Sequence, residues 1–342
     1  MKKTILITGG AGFIGSNFVV HMADKYPEYN LINLDKLTYA ANLDYCKECE
    51  EKENYTFIQA DICDRKKIEE IFEEHNVTDV IHLAAESHVD NSITGPAAFI
   101  ETNIVGTFNL IDIARNHWLE KPGLFKQGCE NNRFHHVSTD EVYGDLDDDG
   151  SLFEEITPYA PSSPYSASKA SSDMIVRAYK RTYGMNITVS NCSNNYGPKQ
   201  HNEKLIPTVI RKCLNGENIP VYGQGSNIRD WLYVLDHAKA IDLIFHNGKD
   251  GETYNVGGRN ERTNLQIVAK ICELLDQKAP KEDGSKYYDL ITFVEDRAGH
   301  DFRYAIDATK LENELGWLAD ENFDTGIVKT VDWYLAKNKE DI

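Results

Sequence analysis

The chain has 342 residues, 41% hydrophobic and 27% charged, which suits a globular protein of one large unit or two lobes. A formal net charge of -19 excludes a general nucleic-acid surface, although a local pocket can still hold an anion. No stretch approaches the ~18 uninterrupted apolar residues of a membrane span.

"TILITG" (4–9) is the first strand candidate. The opening "MKKTILITGGAGFIGS" reads as that strand entering a glycine loop rather than as a leader, because Gly9, Gly10, Gly12 and Gly15 break the apolar run. Further strands are expected at 30–35, 55–61, 79–85, 133–139 and 186–192, separated by helical stretches such as 65–75, 96–118 and 165–183. Apolar runs alternating with helices predict an α/β protein with a Rossmann-type, doubly wound parallel sheet covered on both faces. The acidic 145–155 reads as a solvated loop. From residue 190 the pattern loosens, with helices expected at 237–248, 263–275 and 308–317, the last two capped by Thr263 and Thr309. The seven cysteines are scattered and odd in number, as reduced thiols in a cytoplasmic protein would be. "CKEC" (46–49) has no second pair nearby, so no metal site is expected.

"TGGAGFIG" fits G-x-x-G-x-x-G with Gly9, Gly12 and Gly15. Such glycines let helix N–H groups approach a pyrophosphate, but alone the motif is weak. Asp35 strengthens it by ending the second strand, where a carboxylate takes ribose hydroxyls and disfavours a 2′-phosphate. NAD is therefore favoured over NADP, with Lys36 as the opposing sign. Asp61 ends the third strand and suits either the adenine amino group or a helix cap. Ala84, Ala85, Glu86 and Ser87 end the fourth, where small side chains admit a cofactor. The expected organisation is an NAD-binding domain over 1–189, to which 228–258 returns, and a smaller α/β C-terminal substrate domain over 190–342.

"YSASK" places Tyr165 and Lys169 on one helix face. A phenol is a poor base near neutrality, and a neighbouring ammonium and a nicotinamide cation both favour phenolate. "HHVSTDEVYGD" puts Thr139, Asp140 and Glu141 at the end of a buried strand. They suit a solvated turn, a metal site or an acid/base pair. His135 and His136 point to opposite strand faces and complete no ligand set.

The motifs "GGAGFIGS", "DKLTYA", "ADICD", "LAAESHVDNSI", "TNIVGT", "STDEVYGD", "YSASK", "NCSNNYGP", "EKLIP", "RDWLYV" and "AGHDFRYAID" span Thr4 to Asp307. Together they resemble the extended short-chain dehydrogenase/reductases, within them the nucleotide-sugar 4,6-dehydratase family. "STDEVYGD" is the most specific, since related epimerases carry a hydroxyl residue there without the paired acids. The resemblance implies retained NAD, dTDP-glucose as substrate, a homodimer and a place in deoxysugar synthesis such as that of rhamnose. Tyr165 would take the C4 hydroxyl proton, Thr139 would orient that hydroxyl, and Lys169 would hold the ribose. Glu141 would remove the C5 proton while protonated Asp140 donates to the departing C6 hydroxyl. Phe13, Ile14, Leu37, Thr38, Ile62, Leu83, Thr102 and Asn195 would join the cofactor site. Ser87, Asn194, Lys204, Leu205, Pro220, Val221, Tyr222, Asn264, Asp296, Arg297, His300 and Tyr304 would line the nucleotide-sugar pocket, and Arg229 would clamp the diphosphate. Ala298 stands where the family has proline. The rival readings are a nucleotide-sugar 4-epimerase, a dehydratase of another nucleotide sugar, and a non-catalytic NAD-sensing regulator.

Overall fold

The computed structural model describes residues 2–296 and 301–337. Strand β1 (Thr4–Thr8) is buried throughout and runs through a glycine turn into α1 (Phe13–Lys25). β2 (Asn30–Asp35), β3 (Tyr55–Gln59), α2 (Arg65–His75) and β4 (Asp79–His82) follow. The chain continues through α3 (Val89–Thr94), α4 (Pro96–Phe99), a π-helical turn (Ile100–Gly106), α5 (Thr107–Trp118) and a hairpin, β5 (Leu119–Lys121) and β6 (Leu124–Phe125). β7 (Phe134–Thr139), α6 (Pro164–Tyr183) and β8 (Ile187–Cys192) complete the crossovers. The expected single helix over 96–118 is thus interrupted at its middle by the π-helical turn.

Seven strands form one sheet in the order β12-β8-β7-β4-β1-β2-β3, with every pairing parallel; β12 is Thr253–Val256. Helices cover both faces, so neighbouring strand residues enter different cores. Leu6 packs with α2, α5 and α6 through Ile68, Phe72, Leu110 and Val176, while Ile5 and Ile7 pack with Phe18, Val19 and Ile241 on the other face. From β1 the chain first winds outward to β3 and then crosses back to β4. That reversal opens a crevice beyond the carboxyl ends of β1 and β4.

The second lobe contains β9 (Asn194–Tyr196), α7 (Leu205–Asn215), β10 (Ile219–Tyr222), β11 (Ile228–Tyr233), β13 (Glu261–Thr263), α9 (Asn264–Lys278), β14 (Ile291–Val294), β15 (Arg303–Tyr304) and α11 (Phe323–Leu335). β11 pairs with β9, β13 and β15, and β10 pairs with β14. Ile206, Ile210, Ile267, Ile271, Phe323 and Ile327 form its core. Within 228–258, β11 belongs to this second sheet, whereas α8 (Val234–Asn247) packs on α1 and β12 joins the seven-stranded sheet.

Thr263 caps α9 with Gln266 in a reciprocal capping box. Thr309 does not cap α10 (Thr309–Leu315). It is the first helical residue, and its hydroxyl donates to Asp307 Oδ1. The acidic segment 145–155 is mostly exposed but anchored. Phe153 is buried against Tyr143, and the Arg303 guanidinium donates to the carbonyls of Asp147 and Ser151. "CKEC" forms a 3₁₀ turn whose buried Cys46 thiol donates to the Gly10 carbonyl at 3.2 Å, so its packing supports the glycine loop. All seven cysteines are free thiols. Among the described residues no helix is long and apolar enough to cross a membrane.

Candidate active site

The carboxyl ends of β1, β2, β4, β7 and β8 border a single cleft of about 320 Å³. Its dinucleotide end begins with the turn between β1 and α1. Gly9 has φ +75, and a Cβ there would lie 2.7 Å from Ala84 backbone atoms. A Cβ on Gly15 would lie 2.1 Å from the Gly9 carbonyl oxygen. These glycines therefore let the loop lie flat on β4, with Gly12 as the N-cap of α1 and no side chain occupying that helix end. Phe13 and Ile14 line the same surface.

Asp35 accepts the Ala11 N–H at 3.0 Å and the Leu37 N–H at 2.8 Å, which holds its buried carboxylate at the rim. Lys36 pairs with Asp61 at 2.6 Å, so its charge is turned towards the third strand and away from Asp35. Burial raises the Asp61 carboxyl, but the Lys36 bond and the Cys63 N–H outweigh it and hold the group below its ordinary value. Lys36, Thr38, Asp61, Ile62, Leu83, Ala84, Ala85, Ser87, Thr102 and Asn195 all line the cleft; Leu37, at φ 61, forms the turn behind it. A glycine cradle, a fixed carboxylate and small β4 residues fit an NAD molecule across this end.

The reactive end is built by β7 and α6. β7 stops at Thr139, and a 3₁₀ turn (Asp140–Tyr143) starts at once, with the Glu141 N–H donating to Thr139 Oγ1. Leaving extended geometry there lets both acids border the cleft. Ser163 and Ser166 form a capping box and Pro164 occupies the first turn, so α6 begins just before Tyr165. Tyr165 and Lys169 are buried on one face of α6, and Lys169 Nζ donates to the Val137 carbonyl at 2.9 Å.

The electrostatics separate these groups. Burial, then Glu141 and Asp230, push the Asp140 carboxyl well above its ordinary range, which favours its protonated form. Its Oδ2 is buried without a hydrogen-bond partner among the described residues, while Oδ1 accepts from Thr139 at 3.3 Å. Burial, followed by Glu141, likewise raises the Tyr165 phenol, and a hydrogen bond with Thr139 opposes the rise. Sequence alone pointed to an ammonium and a nicotinamide cation that favour the phenolate; burial and Glu141 are the effects that oppose them.

Asn194 and Lys204 border the cleft, and Lys204 Nζ donates to the Ser87 carbonyl at 3.2 Å, bridging the two lobes. Arg229 and Tyr304 form an adjoining wall. The guanidinium lies 4.2 Å from the Tyr304 ring centroid and donates to the carbonyls of Ile228, Asp301 and Phe302. The Asp230 carboxylate receives the Gly258 and Asn260 N–H groups. Leu205 starts α7, Pro220, Val221 and Tyr222 lie on β10, Asn264 starts α9 and Asp296 lies near Gly223. The cleft lining does not include these residues, and Val221 is buried in the core beneath β10. Arg297 and His300 lie outside the described residues.

Sequence reasoning missed Val137, Ser138, Cys192, Ser193, Gln200, His201 and Glu203 as cleft residues. The first four precede called residues on adjacent strands and were recoverable only once β7 and β8 were known to be neighbours. It also missed Asn103, buried in the π-helical turn. Asn103 clamps Glu86 through both its N–H (2.8 Å) and carbonyl (3.0 Å) and donates to Ser168 Oγ at 2.8 Å. A polar Asn inside the apolar "FIETNIVG" was the available signal.

A dinucleotide cleft with Tyr165 and Lys169 on one helix face defines an extended short-chain dehydrogenase type of enzyme. The family model described as GDP-mannose 4,6 dehydratase matches residues 6–330, and the chain belongs to that family. It is 57% identical over 340 residues to dTDP-glucose 4,6-dehydratase of Escherichia coli, covering 97% of this chain and 92% of the relative. Among solved structures, dTDP-glucose 4,6-dehydratase from Bacillus anthracis in complex with NAD superposes with a TM-score of 0.85 at 42% identity, covering 98% of each chain. The Streptomyces venezuelae dTDP-glucose 4,6-dehydratase with NAD and TYD bound gives 0.85 at 40% identity and 97% coverage of each chain.

Proposed function

We infer that this chain converts dTDP-glucose to dTDP-4-keto-6-deoxyglucose and water, an NAD-dependent hydro-lyase reaction that feeds deoxysugar synthesis. The observation that carries this is the pairing of a buried carboxyl, Asp140, with the partly open Glu141 at the strand end beside Tyr165. A 4-epimerase needs Tyr165 and Lys169 but has no task for that pair. The 57% identity to a named dTDP-glucose enzyme supports the nucleotide.

Gly9, Gly12, Gly15 and Asp35 hold the cofactor, which when bound accepts hydride from sugar C4 and returns it to C6. Tyr165 removes the C4 hydroxyl proton with Thr139 orienting that hydroxyl, and the fixed positive charge of Lys169 favours the phenolate. Oxidation at C4 makes the C5 proton acidic. Glu141 removes it while Asp140, whose proton burial favours, protonates the departing C6 hydroxyl. Arg229, stacked on Tyr304 beside the cleft, is the candidate diphosphate ligand, and its guanidinium would exchange bonds to the Ile228, Asp301 and Phe302 carbonyls for phosphate oxygens. Reaction of dTDP-glucose in deuterated water tests the assignment: deuterium at C5 of a 4-keto-6-deoxy product is expected, and recovery of dTDP-galactose would exclude it.

The protein acts as a cytoplasmic homodimer. Free thiols throughout support the compartment. Exposed Ile93, Ile100, Phe108 and Met174 on α3, the π-helical turn, α5 and α6 support self-association through that face.

A further inference from the structure

Lys169 is an ammonium buried to 4% exposure, and a buried charge needs a counter-charge. One helical turn further along α6 stands Asp173, itself fully buried and absent from the cleft lining. Its carboxylate gathers groups from three other segments. His136 Nε2 on β7 lies 3.1 Å from Oδ1, the Tyr159 hydroxyl donates to Oδ2 at 2.8 Å, and Asn191 Nδ2 on β8 reaches Oδ2 at 3.4 Å. The same Asn191 nitrogen donates to the Thr139 carbonyl at 3.0 Å, the last strand residue before the two acids.

We propose that Asp173 is a positioning residue of the active site: its carboxylate is the fixed counter-charge of the Lys169 ammonium and ties together the ends of β7 and β8. The groups that face Lys169 leave Asp173 as the main opposing anion. They are Tyr165 and Asp173 on its own helix, His136 on β7, His82 on β4 and Cys192 on β8. Burial holds His82 and His136 below the ordinary histidine value, although the hydrogen bond to Asp173 opposes the shift at His136. Burial raises the Cys192 thiol, so it is uncharged. Burial also lowers the Lys169 ammonium, and Asp173 is the first group opposing that shift. Burial raises the Asp173 carboxyl, but the hydrogen bond and charge of His136, then Lys169 and Ser138, together outweigh it and hold the group below its ordinary value. Arg177, a turn beyond Asp173, donates to the Tyr159 hydroxyl at 2.7 Å and holds that bridge in place.

The proposal rests on the role given to Lys169 above, and its test separates the two. Asp173→Asn, Lys169→Met and the double variant are compared by thermal melting in excess NAD. Each single change leaves a buried charge uncompensated, so Asp173→Asn should lower the melting midpoint in the native background and cost little or raise it in the Lys169→Met background. An equal cost in both backgrounds overturns the proposal. Where Asp173→Asn alone gives no folded protein, recovery of a folded Lys169→Met/Asp173→Asn protein supports it and failure there overturns it. For folded Asp173→Asn the pH profile of kcat with dTDP-glucose adds a readout that packing does not move. Losing the counter-charge lets the ammonium deprotonate earlier, so the alkaline limb should move down by about one pH unit. A uniformly lower kcat with an unmoved limb overturns the proposal. Failure of the native protein to dehydrate dTDP-glucose would instead overturn the role of Lys169, while the melting cycle still reports the charge coupling.

Discussion

Asp140 and Glu141 are adjacent in sequence yet differ in setting: Asp140 is 1% exposed and Glu141 is half-buried where the turn opens into the cleft. The switch from β7 to a 3₁₀ turn at Thr139 produces this difference. Two neighbouring carboxyls on one continuing strand would face opposite sides of the sheet.

Asp140→Asn should make the protein more stable and much less active. Folding raises the Asp140 pKa, so its contribution to stability is complete below the unfolded value of ~3.9 and declines as pH rises towards the folded value. Asparagine keeps the shape without that titration. Its melting midpoint should exceed the native one at neutral pH and match it in acid. Without the proton for the C6 hydroxyl, kcat should fall by about 10²–10⁴. Melting curves across pH, together with product formation, check both halves.

Glu141→Gln removes the proposed base for C5 but leaves Thr139, Tyr165 and Lys169 in place. Oxidation at C4 should persist, seen as absorbance of protein-bound NADH on mixing with dTDP-glucose. C5 deuterium exchange should fall by about 10²–10⁴. Undiminished exchange would take Glu141 out of the elimination step.

Asp35→Ala removes the acceptor of the Ala11 and Leu37 N–H groups as well as the proposed ribose contact. Losing a charged hydrogen bond costs about 1.5–3 kcal/mol, which is roughly 10- to 100-fold in NAD affinity. The cofactor content of the purified variant and its titration with NAD measure this. A Kd unchanged by the substitution would place the ribose elsewhere.

The seven-stranded sheet was legible in the sequence because its strands are buried on both faces and so read as apolar runs; 30–35 and 65–75 were recovered to the residue. The ends of β3 and β4 were overextended because "AD" and "LAA" continue the apolar run after the ladder has stopped. The π-helical turn carried no periodic signal, since one extra residue per turn barely alters a helical pattern over seven residues. The glycine turn and the carboxylate that ends β2 were legible because consecutive residues make them. Arg229 and Tyr304 were named singly through the resemblance, but their stacking was not legible, because it depends on the parallel pairing of β11 with β15 across a long separation in sequence. Asp173 was invisible for the same reason: "KASSD" looks like any polar helix until β7 and β8 are laid beside it.

Asp242→Asn should weaken the fold far from the chemistry. Asp242 is 1% exposed on α8 and takes contacts from His21 Nε2 at 2.8 Å, Lys25 at 2.6 Å and the Tyr26 hydroxyl at 2.8 Å, along with His246 of its own helix. It therefore ties α1 and the Tyr26 turn to α8 behind the sheet. Burial raises its carboxyl, but the bonds from His21, His246, Lys25 and Tyr26 outweigh it and hold the group far below its ordinary value. A depressed folded pKa adds stability above the unfolded value of ~3.9 and loses it as pH falls. Removing one member of a buried pair costs about 3–5 kcal/mol; with Lys25 53% exposed and screened, about 2–3 kcal/mol is expected here. Urea unfolding at neutral pH should show that loss, and the gap between variant and native protein should narrow as pH drops below ~4. A gap that stays constant across this range would mean that packing around Asp242, and not its charge, holds α1 to α8.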